Sequence, residues 1–373
     1  MEKVMSRKLI TISTIMTLMS TSVIADVPNV AADIAPIHSL VSRVMDGVGA
    51  PKLIVQSGAS PHGYRLRPSE AKALQDADHV FWMGEELTPW LDSAIGTLAS
   101  KASVTTLLDQ QGVILHDFRE GALFEAHDHS AHGDDDHDDH DDHDDHDDHK
   151  DHDDHDDHDD HDDHKDHDDH DDHDDHDDHD DHDDHDDHKD HDDHDDHDDH
   201  DDHGSHDPHA WLSPENAKLW LNIIASKLSV SDPENAATYF MNAAAGQAEI
   251  EAMIAEVKAT LKPVQGGKFV VFHDAYQYFE NDFDFYASGA ISLGDSSDPS
   301  PARIEKVQKR IRDEGIQCVL AEPQFKKGLV ATVMEGSDAT ASVIDPLGAE
   351  LETGPKLYTR LIKNMAKTLR NCL

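Results

Sequence analysis

Phe269-Val270-Val271-Phe272-His273-Asp274-Ala275 is the stretch that decides the fold. Four consecutive apolar residues, too few for a helix, read as a strand buried on both faces, as in a parallel sheet. His273 follows at once, at the carboxyl end, where open α/β sheets bind their ligands. Downstream the same theme continues. Residues 286–291 form a candidate strand, 302–314 an amphipathic helix, 318–321 a strand and 326–334 a helix. Ser342-Val343-Ile344 is a strand ending in Asp345-Pro346-Leu347-Gly348, and 357–369 is a final helix.

The first half of the chain has the same alternation. Residues 29–34 suit a first strand, and 37–48 a helix with Leu40, Val41, Val44 and Val48 at helical spacing. Leu53-Ile54-Val55 is a short strand running into the loop Gly58-Ala59-Ser60-Pro61-His62-Gly63. Pro68 opens a helix, and Val80-Phe81-Trp82 is a strand stopped by Gly84. Ser213 caps and Pro214 starts a helix through Leu228. Asp232-Pro233 starts another, with an apolar stripe at Tyr239, Ala243, Ile250, Ile254, Val257 and Leu261, stopped by Pro263. Thirty residues of helix would span about 45 Å. The expected fold is α/β: two Rossmann-like lobes, residues 26–229 and 264–373, joined by a long rigid helix over 230–263.

One segment does not belong to this pattern. From His137 to His206 a histidine falls on every third residue, mostly with two aspartates between. Residues 127–209 carry a net charge of −43 out of −51 for the whole chain, so the remainder is only mildly acidic. With almost nothing apolar to bury, residues 127–206 are expected to be a disordered insertion in the first lobe. Nucleic acid is excluded as a partner, because phosphate binding needs clustered Lys and Arg.

Lys3, Arg7 and Lys8 precede an apolar run over 9–19, followed by small residues through Ala25. This reads as a secretory signal peptide over 1–25, cut after Ala25. The run is shorter than the roughly 20 apolar residues that span a bilayer. The mature protein is therefore expected to be soluble and exported; an uncleaved anchor is the alternative. An oxidising compartment suits a disulfide between the two cysteines, Cys318 and Cys372. In the other reading Cys318 is simply a small core residue.

Three isolated histidines occupy comparable places. His62 lies in a Gly/Pro loop after a strand, His209 between Pro208 and a helix start, and His273 at a strand's end. Three neutral imidazoles meeting in a cleft suit zinc at about 2.0–2.1 Å each. The fourth place falls to Asp345, which also ends a strand, or to water. Manganese or magnesium would call for more oxygen ligands. His38, His79 and His116 have no such context and read as structural or surface histidines.

Gly58-Ala59-Ser60-Pro61-His62-Gly63-Tyr64 with Leu66-Arg67-Pro68-Ser69 resembles the first metal-loop motif of the periplasmic zinc-uptake solute-binding proteins, the ZnuA group within the cluster A-I family. Asp207-Pro208-His209-Ala210-Trp211-Leu212-Ser213-Pro214 is similar to their second motif, and Phe272-His273-Asp274-Ala275-Tyr276 to their third. Ala321-Glu322-Pro323-Gln324-Phe325 and Asp345-Pro346-Leu347-Gly348 also look family-like. The resemblance implies two lobes on a rigid helix and a monomer that passes Zn²⁺ to an ABC transporter permease with its cytoplasmic ATPase. It implies His62, His209 and His273 as ligands and a Cys318–Cys372 disulfide. Some members carry a glutamate just before the first histidine; here Pro61 stands there, so the fourth ligand stays open between Asp345 and water. The repeat is expected to act as an auxiliary zinc collector. The rival functions are a periplasmic zinc storage or chaperone protein and a metalloenzyme using the open fourth position.

Overall fold

The structure, a computed structural model, describes residues 27–119, 206–292, 299–324 and 327–373. The expected signal peptide and nearly all of the histidine repeat lie outside the described residues. Those described belong to one compact unit.

Two four-stranded parallel sheets form the frame. The first has the order β2-β1-β3-β4, with β1 (Val30–Ala32), β2 (Lys52–Leu53), β3 (His79–Trp82) and β4 (Ser103–Thr106). The second has the order β6-β5-β7-β8, with β5 (Phe269–His273), β6 (Ala290–Ser292), β7 (Cys318–Ala321) and β8 (Thr340–Val343). In both, the first strand in sequence is central and the chain then winds outward on each side. The central strands β1 and β5 are buried at every residue, as their unbroken apolar runs require. The edge strands β4 and β8 are largely exposed and carry Ser and Thr.

Helices cover both faces of each sheet. α2 (Pro68–Gln75) and α3 (Pro89–Leu98) pack on the outer face of the first, in a cluster with Ile54, Leu74, Val80, Leu91 and Ile95. α7 (Pro301–Glu314) and α8 (Lys327–Val333) do the same for the second, around Val270, Ile291, Val307, Ile311 and Val319. The inner faces of both sheets share a single core with α1 (Ala35–Val44), α4 (Pro214–Ser231), α5 (Ala236–Leu261), α6 (Gln277–Phe283) and α9 (Leu357–Cys372).

α5 is the expected long helix. It covers 26 residues, about 39 Å of helix, with short 3-10 turns at each end. It packs against α1 of the first lobe and α9 of the second, and most closely against α4. Its buried stripe is Tyr239, Ala243, Gly246, Ile250, Met253, Val257 and Leu261. Met253 takes the core position expected of Ile254, which is only partly buried. Gly246 permits the tight crossing of α4, because a Cβ there would lie 2.9 Å from Leu221 Cδ1.

The sequence reading missed β4, α3 and α6, and it placed three strands imperfectly: the one expected over 53–55 is Lys52–Leu53. The strand expected over 286–291 instead runs Ala290–Ser292, since Tyr286 is exposed and Gly289 adopts a positive φ of 153°. The expected strand 342–344 begins earlier, as the polar edge strand Thr340–Val343. Cys318 and Cys372 are joined by a disulfide, which ties the start of β7 to the end of α9.

Two stability predictions follow from this frame. Replacing both cysteines by alanine should cost about 2–4 kcal/mol in denaturant unfolding, because α9 loses its covalent tie. Asp33, just after β1, is fully buried; burial pushes its carboxyl up to about 7, against hydrogen bonds from the amides of Met83 and Ile34 at 2.7 Å each. A carboxyl raised in the folded state favours folding below its unfolded pKa and loses that contribution as pH rises through the folded value. The stability of the wild type relative to Asp33→Asn should therefore fall between about pH 4 and pH 7 and level off above.

Candidate metal centre

Two loops and the end of a strand converge at the carboxyl ends of the two sheets. His62 comes from the loop after β2. That loop is pinned by Trp90 Nε1, which donates to the Pro61 carbonyl at 2.7 Å. Tyr64 packs against the Trp90 ring and donates its hydroxyl to the buried carboxylate of Glu70 at 2.8 Å. His209 precedes the 3-10 turn Ala210–Leu212. The next residue but one, Trp211, donates to the Pro346 carbonyl at 2.8 Å, and Tyr358 donates its hydroxyl to the Trp211 carbonyl at 3.0 Å. His273 is the last residue of β5.

The three side chains meet. One ring nitrogen from each of His62, His209 and His273 lies within 4.8 Å of the other two, and this is the one metal-capable group of its kind among the described residues. His209 Nε2 and His273 Nε2 are 3.2 Å apart. Tetrahedral zinc with bonds of about 2.05 Å holds its nitrogens about 3.3 Å apart. The pair on His209 and His273 thus already has the right spacing, and His62 completes the set from within 4.8 Å of both. His62 is half-buried while the other two are buried, so the centre is approached from the His62 side. Pro61, Trp211, Glu322, Gln324, Pro346 and Leu347 line the same recess.

Both buried imidazoles are oriented from behind. His209 Nδ1 lies 2.6 Å from Asp207 Oδ1, and His273 Nδ1 lies 2.7 Å from Glu322 Oε1. A carboxylate can only accept, so each Nδ1 carries the proton and each Nε2 lone pair faces the cleft. Gln324 Nε2 donates to the other oxygen of Glu322 at 2.6 Å and fixes its rotation. Two nitrogen lone pairs 3.2 Å apart need a cation between them, and a divalent ion supplies one.

Asp345 follows β8 but is not part of the converging group. Its Oδ1 accepts from the amides of Leu347 and Gly348 at 3.0 and 2.8 Å, and its Oδ2 from Ala349 at 2.6 Å. The carboxylate holds its own turn. Burial pushes it above the usual carboxylate range, against the pull of those amides. Asp207 and Glu322 were not singled out as orienting groups from sequence. Asp207 had a readable signal, an aspartate two residues before a histidine with proline between. Glu322 lay in a family-like stretch that gave it no role, because only the pairing of β5 with β7 brings it beside His273.

His38, His79 and His116 are elsewhere. His38 contacts the Pro51 carbonyl, His79 the Ser231 hydroxyl, and His116 the ring of Tyr278.

The orienting contacts are testable without any assumption about transport. Asp207→Asn and Glu322→Ala should each weaken divalent-metal binding about 10–100-fold, measured by competition with a chromogenic chelator, because the imidazoles lose both tautomer and orientation.

The chain matches the profile of a family described as "ZnuA: Zinc-uptake complex component A periplasmic" over residues 30–372. It is 45% identical over 344 residues to the high-affinity zinc uptake system protein ZnuA of Brucella abortus (strain 2308), covering 92% of this chain and 91% of that one. It is 41% identical over 350 residues to the protein of the same name from Paracoccus denitrificans (strain Pd 1222), covering 94% and 93%. A crystal structure of ZnuA has a similar fold, with a TM-score of 0.62 at 18% identity, covering 93% of this chain and 99% of that chain. With the family profile spanning nearly all of the described residues and close relatives of the same length, the chain belongs to the ZnuA family of periplasmic zinc-uptake components.

Proposed function

We propose that this chain captures Zn²⁺ between His62, His209 and His273 in the periplasm and hands it to an ABC transporter permease driven by a cytoplasmic ATPase. The observation that carries this reading is the convergence of three imidazole nitrogens, from three segments far apart in sequence, within 4.8 Å. Three nitrogen donors with no carboxylate in the group favour zinc over manganese or magnesium, which take more oxygen ligands. Water completes the coordination in preference to Asp345, whose two oxygens already accept three backbone amides.

Residues 26–229 and 264–373 act as the two lobes, with 230–263 as the helix between them. The cleft is built within one chain, so a monomer suffices. The repeat over 127–206 serves as a low-affinity collector that raises the zinc concentration near the cleft. A storage role is disfavoured because the ordered three-histidine centre needs no repeat to form. Catalysis is disfavoured because Asp207 and Glu322 are occupied with imidazole protons and Asp345 with amides, which leaves none of the three as a general base.

Zinc titration of a variant lacking residues 134–203 tests both roles. It should keep one tight site and lose the many weak ones. His62→Ala, His209→Ala and His273→Ala in that background should each weaken the tight site by at least about 100-fold, or 2.7 kcal/mol. Asp345→Asn should change zinc affinity by less than about threefold while lowering stability, because a charged acceptor of three amides is lost. Survival of the tight site in all three histidine variants would overturn the assignment.

A further inference from the structure

Arg119 stands in a segment that belongs to none of the three histidine motifs, yet the segment touches the surroundings of the second and third. Ile114 is fastened to the start of α4 by reciprocal hydrogen bonds with the Asn216 side chain, at 2.8 and 2.9 Å. His116 then accepts at its carbonyl from the amide of Asp207 at 2.8 Å, and its own amide donates to the Tyr278 hydroxyl at 3.1 Å. Tyr278 donates in turn to the Asp207 carbonyl at 2.7 Å. Asp117 pairs with His206 in an antiparallel bridge, reinforced by their side chains at 2.9 Å. The segment thus lies directly against Asp207, the carboxylate that orients His209.

Arg119 carries the connection to the third motif. Its guanidinium donates through Nε and Nη2 to the two oxygens of Asp274, the residue after His273, and through Nη1 to Glu280 Oε2 at 2.5 Å. Asp274 and Glu280 are buried, and Arg119 is mostly so. Burial pushes Glu280 up to about 7 and raises Asp274, the neighbouring Asp207 adds to the repulsion on Asp274, and Arg119 opposes both shifts. A fork to one carboxylate with a further bond to a second is the geometry that guanidinium provides and ammonium does not.

We propose that Arg119 is a positioning residue for the metal centre: a clasp that joins the Asp207–His209 motif to His273 and sets how long a bound ion is held. This rests on the assignment of the three histidines as zinc ligands. The clasp acts through its partners and does not touch the ion. Loosening it frees His273 to move relative to His209, the pair whose 3.2 Å separation already matches zinc. The effect therefore falls on release, since an ion leaves when one of its ligands swings away, while capture begins at the more accessible His62.

The test is stopped-flow release of zinc into excess chelator from the full-length protein, alongside chelator-competition affinity. Arg119→Ala should release zinc about 10–100-fold faster, in line with the loss of an outer-sphere contact. Arg119→Lys should fall between, because it keeps the charge and loses the fork. Arg119→Ala leaves two buried carboxylates without a counter-charge and can fail to fold. A triple variant, Arg119→Met with Asp274→Asn and Glu280→Gln, removes the clasp without stranding a charge and should also release zinc faster. Arg43→Ala, which breaks the ion pair with Glu249 on α5, is the control for general destabilisation and should leave release unchanged. Release within about twofold of wild type in the triple variant, or equal acceleration in Arg43→Ala, would overturn the clasp. The ligand assignment fails separately, if His209→Ala keeps the tight site whatever Arg119 does.

Discussion

The structure depends on one shared apolar core between the two sheets. Val30, Ala32 and Phe81 from the first sheet lie in the same cluster as Phe269, Val271 and Leu320 from the second, with α1, α4, α5 and α9 between them. A close-packed interior transmits position and resists continuous deformation. Each histidine loop hangs from this frame by a specific contact: the His62 loop by Trp90, the His209 turn by Tyr358, and His273 by the sheet itself. Much of the entropy of bringing three distant segments together is therefore met by the folding of the frame itself. The cross-lobe contact of Ser39 with Gly354 and Tyr358 joins α1 directly to the start of α9 and adds to the resistance against hinge motion.

The second requirement is charge balance in a dry site. An unpaired divalent ion in the interior would be prohibitively costly. Asp207 and Glu322, both almost fully buried, would place two negative charges one imidazole away from an ion held by His209 and His273. Two carboxylates offset one divalent cation, so the loaded centre is close to neutral as a unit. The same carboxylates fix which nitrogen faces the cleft, so one pair of residues sets both charge and geometry.

The two halves of the chain fold alike, with the same strand order around a central first strand, but they supply different chemistry. Beyond the central strand of the second sheet stands His273, aimed into the cleft. The corresponding place beyond β1 holds Asp33, whose oxygens accept the amides of Ile34 and Met83 and so close off the sheet end. Asp345 serves its own turn in a similar way. Ends of parallel strands gather backbone amides, and a short carboxylate there is readily consumed by them. Histidine, which is longer and offers a neutral nitrogen, reaches past them.

Much of this was legible in the residues alone. The unbroken apolar run from Phe269 to Phe272, the helical stripe from Tyr239 to Leu261, and the three histidines each set near a strand end or helix start all declared themselves through local spacing. α6 is too short to show a stripe, and β4 is a polar edge strand, so neither leaves a periodic signal. The amino-acid sequence by itself determined most of the strands and helices, and the setting of each of the three histidines, because periodicity and turn chemistry act within a few residues. Only the tertiary structure decided that Glu322 stands behind His273, that Asp345 turns to its own backbone, and that Arg119 reaches Asp274 and Glu280. Those pairings are set by strand register and a common core, which act between residues far apart along the chain.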